Sequence, residues 1–224
     1  MRFFSYDNPV WRVVMKAGQI WWLNILWVLT SLPVITIGAS TTALIYSCRK
    51  LQKEEGYPTA NFFHSFRDNF LQSILIWILY AATGALLLWG LVFYNQTDYS
   101  EMKLLWAVDI ALLIPWGLSF LYVFGVQSRF VNPVTKTIRY SLILSIRHFR
   151  YTFQMVLMAA VLIYVNTTTV VLVNFLTLFF GAGLLAYLFS LYYEKVFERY
   201  IPAEQPEDDV PEDHSGESQG SGAQ

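Results

Sequence analysis

Few side chains in this 224-residue sequence are equipped for chemistry, and Asp109 is the first of them. It is the only acidic residue inside the apolar stretch Leu104–Ser128. A carboxylate placed in hydrocarbon is expensive, so by default it marks a proton or cation site. Two plainer readings stand beside that one. Asp109 can pair with a polar residue such as Asn24 or Asn166, or it lies a turn or two from the outer face and reaches interfacial water. Asn24, Thr30, Asn166 and Asn174 equally suit hydrogen bonding between helices.

The second constellation is Phe-Arg-x-x-Phe, which occurs as Phe66-Arg67-Asp68-Asn69-Phe70 and as Phe149-Arg150-Tyr151-Thr152-Phe153. Its arginines offer planar guanidinium forks to a partner's carboxylates or to lipid phosphates. Two copies suggest an internal repeat, although arginines and aromatics both favour the membrane interface on general grounds. His64 and His148 stand nearby without a third ligand, which argues against a metal site. The single cysteine, Cys48, rules out an internal disulfide and any Cys-based cluster. The sequence has no His-Glu-x-x-His, no Gly-x-Ser-x-Gly and no phosphate-binding Gly-x-x-x-x-Gly-Lys. The expectation is a protein that is not an enzyme and carries no cofactor.

The elements that must hold these residues are legible from charge. Tyr151–Tyr193 runs for forty-three residues without Asp, Glu, Lys or Arg, and Asn69–Thr97 is also uncharged. A helical crossing of the hydrocarbon core needs roughly 20 apolar residues, so the longer run reads as two spans joined by a polar turn around Asn166–Thr169. Continuous apolar stretches exclude the alternating strands of a membrane barrel, and backbone groups in lipid must bond within helices. The fold class is therefore all-α: a polytopic transmembrane helical bundle of five to six membrane segments with short interfacial helices. Asn8-Pro9 starts the first helix, and Pro33 ends it. Pro33–Thr42 reads as a tight non-helical turn in which Gly38 supplies backbone freedom and Ser40, Thr41 and Thr42 cap a shorter helix. That helix, Ser40–Glu55, covers only about 24 Å and crosses only if tilted. An amphipathic helix carrying Phe62, Phe63, Phe66 and Phe70 leads into the span Leu71–Tyr94. The next span is interrupted at Pro115-Trp116-Gly117, and Asn132-Pro133 repeats the cap-then-proline start.

Net charge is −1, but seven of the sixteen acids lie from Glu204 onward with no Lys or Arg among them. Residues 1–202 form the transmembrane domain, with fifteen bases against nine acids, and 203–224 read as a disordered acidic tail. No cleavable signal segment is expected. With six crossings, fourteen of the fifteen Lys and Arg fall on one side, leaving Lys103 on the other. Lys and Arg accumulate in cytoplasmic loops, so both termini are expected in the cytoplasm. Scattered along membrane-flanking loops, these charges fit anionic lipid rather than nucleic acid.

Leu23-Asn24-Ile25-Leu26-Trp27 followed by Ser31–Leu44 (SLPVITIGASTTAL) resembles the signature of the YesL-like family of bacterial integral membrane proteins. Glu54-Glu55-Gly56-Tyr57, Phe62–Phe70 and the closing Phe197–Pro202 fit the same family. The resemblance implies a bacterial cell membrane, a domain of unknown function and a place beside carbohydrate-uptake ABC importers. It supplies no catalytic residue. Two functions follow as expectations. One is an accessory subunit whose partners are membrane lipids and a membrane protein, either a sugar ABC importer or a second copy of the chain. The other is a small transporter or channel that uses Asp109.

Overall fold

The computed structural model describes residues 9–95, 100–168 and 171–200. Among them the chain is an all-α bundle of α1 (Pro9–Thr30), α2 (Ile37–Gln52), α3 (Pro58–Asp68), α4 (Phe70–Asn95), α5 (Ser100–Gln127), α6 (Val134–Arg147), α7 (Phe149–Thr168) and α8 (Val171–Phe197). Four stretches are long and apolar enough to cross a membrane: Trp11–Thr30, Phe70–Tyr94, Lys103–Gln127 and Phe149–Thr167. α8 matches them in length, with no charge before Glu194. This is a membrane protein. Asn8, Thr169 and the acidic tail lie outside the described residues.

The shortest of the interior helices organises the rest. α2 has 16 residues, about 24 Å, too short for the ~30 Å hydrocarbon core. It packs against α1, α3, α4, α5 and α8, and eleven of its residues are buried. Its composition explains this central position. Gly38, Ala39, Ser40, Thr42, Ala43, Ser47 and Cys48 are small enough to let neighbouring backbones approach on several sides. A Cβ placed on Gly38 would come within 2.4 Å of the Ser73 carbonyl oxygen of α4, so only glycine fits this crossing.

That contact corrects the reading of Pro33–Thr42. The non-helical link ends earlier: a single 3-10 turn occupies Val34–Thr36, and α2 is already helical from Ile37. Thr36, not Ser40, is the N-cap residue, and Ser40 and Thr42 donate back along their own helix to the Thr36 and Gly38 carbonyls. Thr36 Oγ1 reaches the Thr30 carbonyl at 2.6 Å, so the link closes on itself before the expected cap residues are reached. Gly38 thus serves close approach rather than a turn.

Other boundaries move for similar reasons. α5 continues unbroken through Pro115, because neighbouring helices can hold a span together across one missing N–H. Asn166, Thr167 and Thr168 belong to α7 rather than to a turn. Pro133, not Asn132, is the N-cap of α6 and accepts from the Thr137 N–H.

Polar pairs stitch the helices together. Trp27 Nε1 donates to Thr41 Oγ1 at 3.1 Å, and the Thr42 and Ser73 hydroxyls meet at 3.0 Å. Tyr122 and Thr152 share a hydrogen bond at 3.0 Å, and Gln52 Nε2 donates to the Tyr187 carbonyl at 3.0 Å. Such bonds average about 0.6 kcal/mol each in membrane bundles, so their number matters more than any one of them.

Candidate functional site

Charge collects at one end of the bundle. Lys16 near the start of α1 meets Glu54 beyond α2 at 2.9 Å, and Gln127 at the end of α5 donates to Asn69 at the start of α4. His148, at the start of α7, bonds Tyr200 beyond α8 at 3.1 Å. These contacts join the start of α1, α4 and α7 to the ends of α2, α5 and α8. By chain position, thirteen of the fourteen described Lys and Arg belong to this end, against Glu54, Glu55, Asp68, Glu194 and Glu198. Lys103 belongs to the other.

The centre of the charged end is an ion pair that sequence reasoning did not single out. Arg49 Nε donates to Glu194 Oε1 at 2.6 Å, with side chains only 5% and 11% exposed. Arg49 Nη1 also reaches the Ser128 carbonyl at 3.4 Å, and Lys53 Nζ lies 3.2 Å from Glu194 Oε2. The guanidinium sits over the Phe197 ring at 5.7 Å. A signal for this pair existed. Arg49 is the first charge after Lys16, and Glu194 is the first after Arg150. Each ends an uncharged run on the same side of the bundle with the opposite sign.

Beside the pair lies an open cavity of about 160 Å³. Arg49, Lys50, Lys53 and Arg129 line it together with Glu55 and Glu194, and Tyr46 forms part of its wall. The turn beside it is the Glu54-Glu55-Gly56 segment, of which Glu55 lines the cavity. Glu54 and Gly56 both adopt left-handed backbone, with φ of 58° and 68°. Glu54 pairs with Lys16 and Glu55 with Lys50, and each carboxyl is held below its ordinary range chiefly by that lysine. Asn61 Nδ2 secures the turn by donating to the Glu55 carbonyl at 2.8 Å.

A larger open cavity of about 400 Å³ lies between α1, α2, α4, α5, α7 and α8 and is almost wholly apolar. Trp27, Ile45, Trp77, Phe120 and Phe189 are among its walls.

The expected intramembrane cluster does not assemble. Asn24 is fully buried and accepts from the Gly183 N–H of α8 at 2.7 Å, binding α1 to α8. Asn166 donates to the Leu162 carbonyl of its own helix, and Thr30 likewise to Leu26. Asp109 meets neither. Its carboxylate lies against Gly90 of α4, where a Cβ would approach Oδ2 to 2.1 Å. That buried oxygen has no hydrogen-bond partner, and neither has Asn174 Oδ1. The absence of a side chain at Gly90 therefore makes room for the carboxylate.

The two Phe-Arg-x-x-Phe segments take different places. In both halves an amphipathic helix meets a long helix through one residue, Asn69 between α3 and α4, and His148 between α6 and α7. The first motif straddles its joint; the second begins just after it. What recurs is the jointed helix pair, not the motif's register. Arg67 and Arg150 are exposed, as are Phe149 and Phe153, whereas Phe66 and Phe70 are half-buried and pack edge to face at 5.3 Å.

Among the described residues no group of three or more His, Cys, Asp or Glu could hold a metal ion. No curated protein and no solved structure matches the chain. Residues 20–91 match the model of the family described as Protein of unknown function, DUF624, to which the YesL-like proteins belong, so the resemblance carried by Leu23–Leu44 and Glu54–Phe70 is a DUF624 match over the second half of α1, α2, α3 and most of α4.

Proposed function

We propose that this chain is an accessory subunit of the bacterial cell membrane that docks a membrane-protein partner through its basic end. The observation that carries the reading is the charge balance there. Four of the five acids at this end are already engaged: Glu54 by Lys16, Glu55 by Lys50, Asp68 by His64, and Glu194 by Arg49 and Lys53. The surplus positive charge stays on the surface, with Arg67 and Arg150 exposed beside aromatic rings. Exposed guanidinium groups flanked by aromatics suit a partner's carboxylates, since both residue types anchor interfaces. The Lys and Arg bias supports a cytoplasmic position for this end and for both termini. The YesL-like resemblance supports a carbohydrate ABC importer as the partner, and no catalytic step is assigned to the chain.

The test is recovery of importer subunits with the tagged chain from native membranes. Replacing Arg67 and Arg150 together with Gln should reduce that recovery while the bundle stays folded, because both side chains are exposed. Unchanged recovery would defeat the docking surface. A second reading, transport coupled to a proton or cation, is favoured by the buried, unpartnered Oδ2 of Asp109. If Asp109→Asn alone abolishes the cellular phenotype and the double arginine variant keeps it, the transporter reading prevails.

A further inference from the structure

The cavity beside Arg49 has an unbalanced lining. Its four cations face only two carboxylates, and each carboxylate is already turned to a cation. Arg49 spends Nε on Glu194 and Nη1 on the Ser128 carbonyl, while no acceptor among the described residues meets Nη2. Arg129, the residue after Ser128, lines the same space and forms no ion pair among the described residues. Two guanidinium groups with unused donors therefore share about 160 Å³, and they repel each other unless an anion lies between them. The surplus of two positive charges matches a dianion, and guanidinium forks match the oxygen geometry of phosphate. Tyr46 adds a phenol to the wall, with Lys50 over its ring at 6.0 Å. The cavity lies where α2, α5 and α8 end, at the charged end of the bundle.

We propose that this cavity binds a phosphate monoester, held between Arg49 and Arg129 with Lys50 and Lys53 at its rim. The phosphate belongs either to a lipid headgroup or to a soluble phosphorylated molecule. This site is separate from the docking surface: Arg67 and Arg150 do not line it. The two ideas therefore stand or fall independently.

Calorimetric titration of the purified full chain in mild detergent tests it. The probes are dioctanoyl phosphatidic acid, dioctanoyl phosphatidylcholine, glycerol 3-phosphate and inorganic phosphate. Phosphatidic acid should bind one to one and at least about tenfold more tightly than the choline lipid, the scale of a charge-assisted hydrogen bond. Arg129→Gln, an exposed position that spares the Arg49–Glu194 pair, should weaken binding by about tenfold or more. Arg139→Gln, the same charge change on the exposed face of α6, should leave it unchanged. Binding of glycerol 3-phosphate or inorganic phosphate with the same dependence on Arg129 supports a soluble ligand. Binding of phosphatidic acid alone, again dependent on Arg129, supports a lipid headgroup. The proposal is overturned if no phosphate probe binds, if Arg129→Gln has no effect, or if Arg139→Gln weakens binding as much.

Discussion

Removing the Glu194 carboxylate should destabilise the bundle more than removing the guanidinium it holds. The structure makes the pair unequal. Arg49 is almost fully buried, and once Glu194 is gone its remaining acceptor among the described residues is the Ser128 carbonyl at 3.4 Å. Glu194→Ala thus leaves a buried cation without a counter-charge, close to Lys50, Lys53 and Arg129. Breaking a buried pair in this way costs ~3–5 kcal/mol. Arg49→Met is milder. Glu194 keeps Lys53 at 3.2 Å, a residue 39% exposed, and the methionine fills much of the vacated volume. The loss there is the charge-assisted hydrogen bond, about 1.5–3 kcal/mol. The double variant Arg49→Met/Glu194→Leu removes both charges and should lie within about 1 kcal/mol of the parent, since apolar replacement of a buried pair is often neutral. Titration with denaturing detergent, followed by fluorescence of the eight tryptophans, measures all three. Two results refute the reasoning: Glu194→Ala no more costly than a surface change, or a double variant whose loss equals the sum of the singles. Either would mean that the pair is hydrated and weakly coupled.

Gly38→Ala should cost about 1–3 kcal/mol through overpacking, because the new Cβ meets the Ser73 backbone carbonyl rather than a movable side chain. Gly18→Ala in α1, with nothing within 4 Å, should be neutral or stabilising by up to about 1 kcal/mol from helix propensity; equal tolerance in folded yield would contradict the α2–α4 crossing. Single cysteines at Leu32 and Tyr57, exposed at 72% and 82%, should separate the two ends in a Cys48→Ala background. An impermeant thiol reagent on whole cells should label Leu32 and spare Tyr57, and the reverse pattern would invert the orientation.

What the sequence decided by itself is what the bilayer demands of each residue separately. Uncharged runs mark the helices because hydrocarbon penalises every charge and every open backbone group locally, whatever the rest of the chain does. The bundle class, the span Leu71–Tyr94 within one residue of α4 at each end, and the concentration of Lys and Arg at one end followed from that alone. Tertiary structure decided everything that depends on two distant segments meeting. Pro33–Thr42 carries turn-like residues, yet Gly38–Thr42 are helical, because their small side chains are needed where α2 crosses α4. Asp109 and Asn24 look alike as intramembrane polar residues, but one faces Gly90 without a partner and the other binds the Gly183 amide. Arg49 and Glu194 are 145 residues apart, and each alone is an ordinary charge at the end of a span. Only the packing of α2 against α8 removes both from water and makes them a pair, because burial depends on the neighbours rather than on the residue.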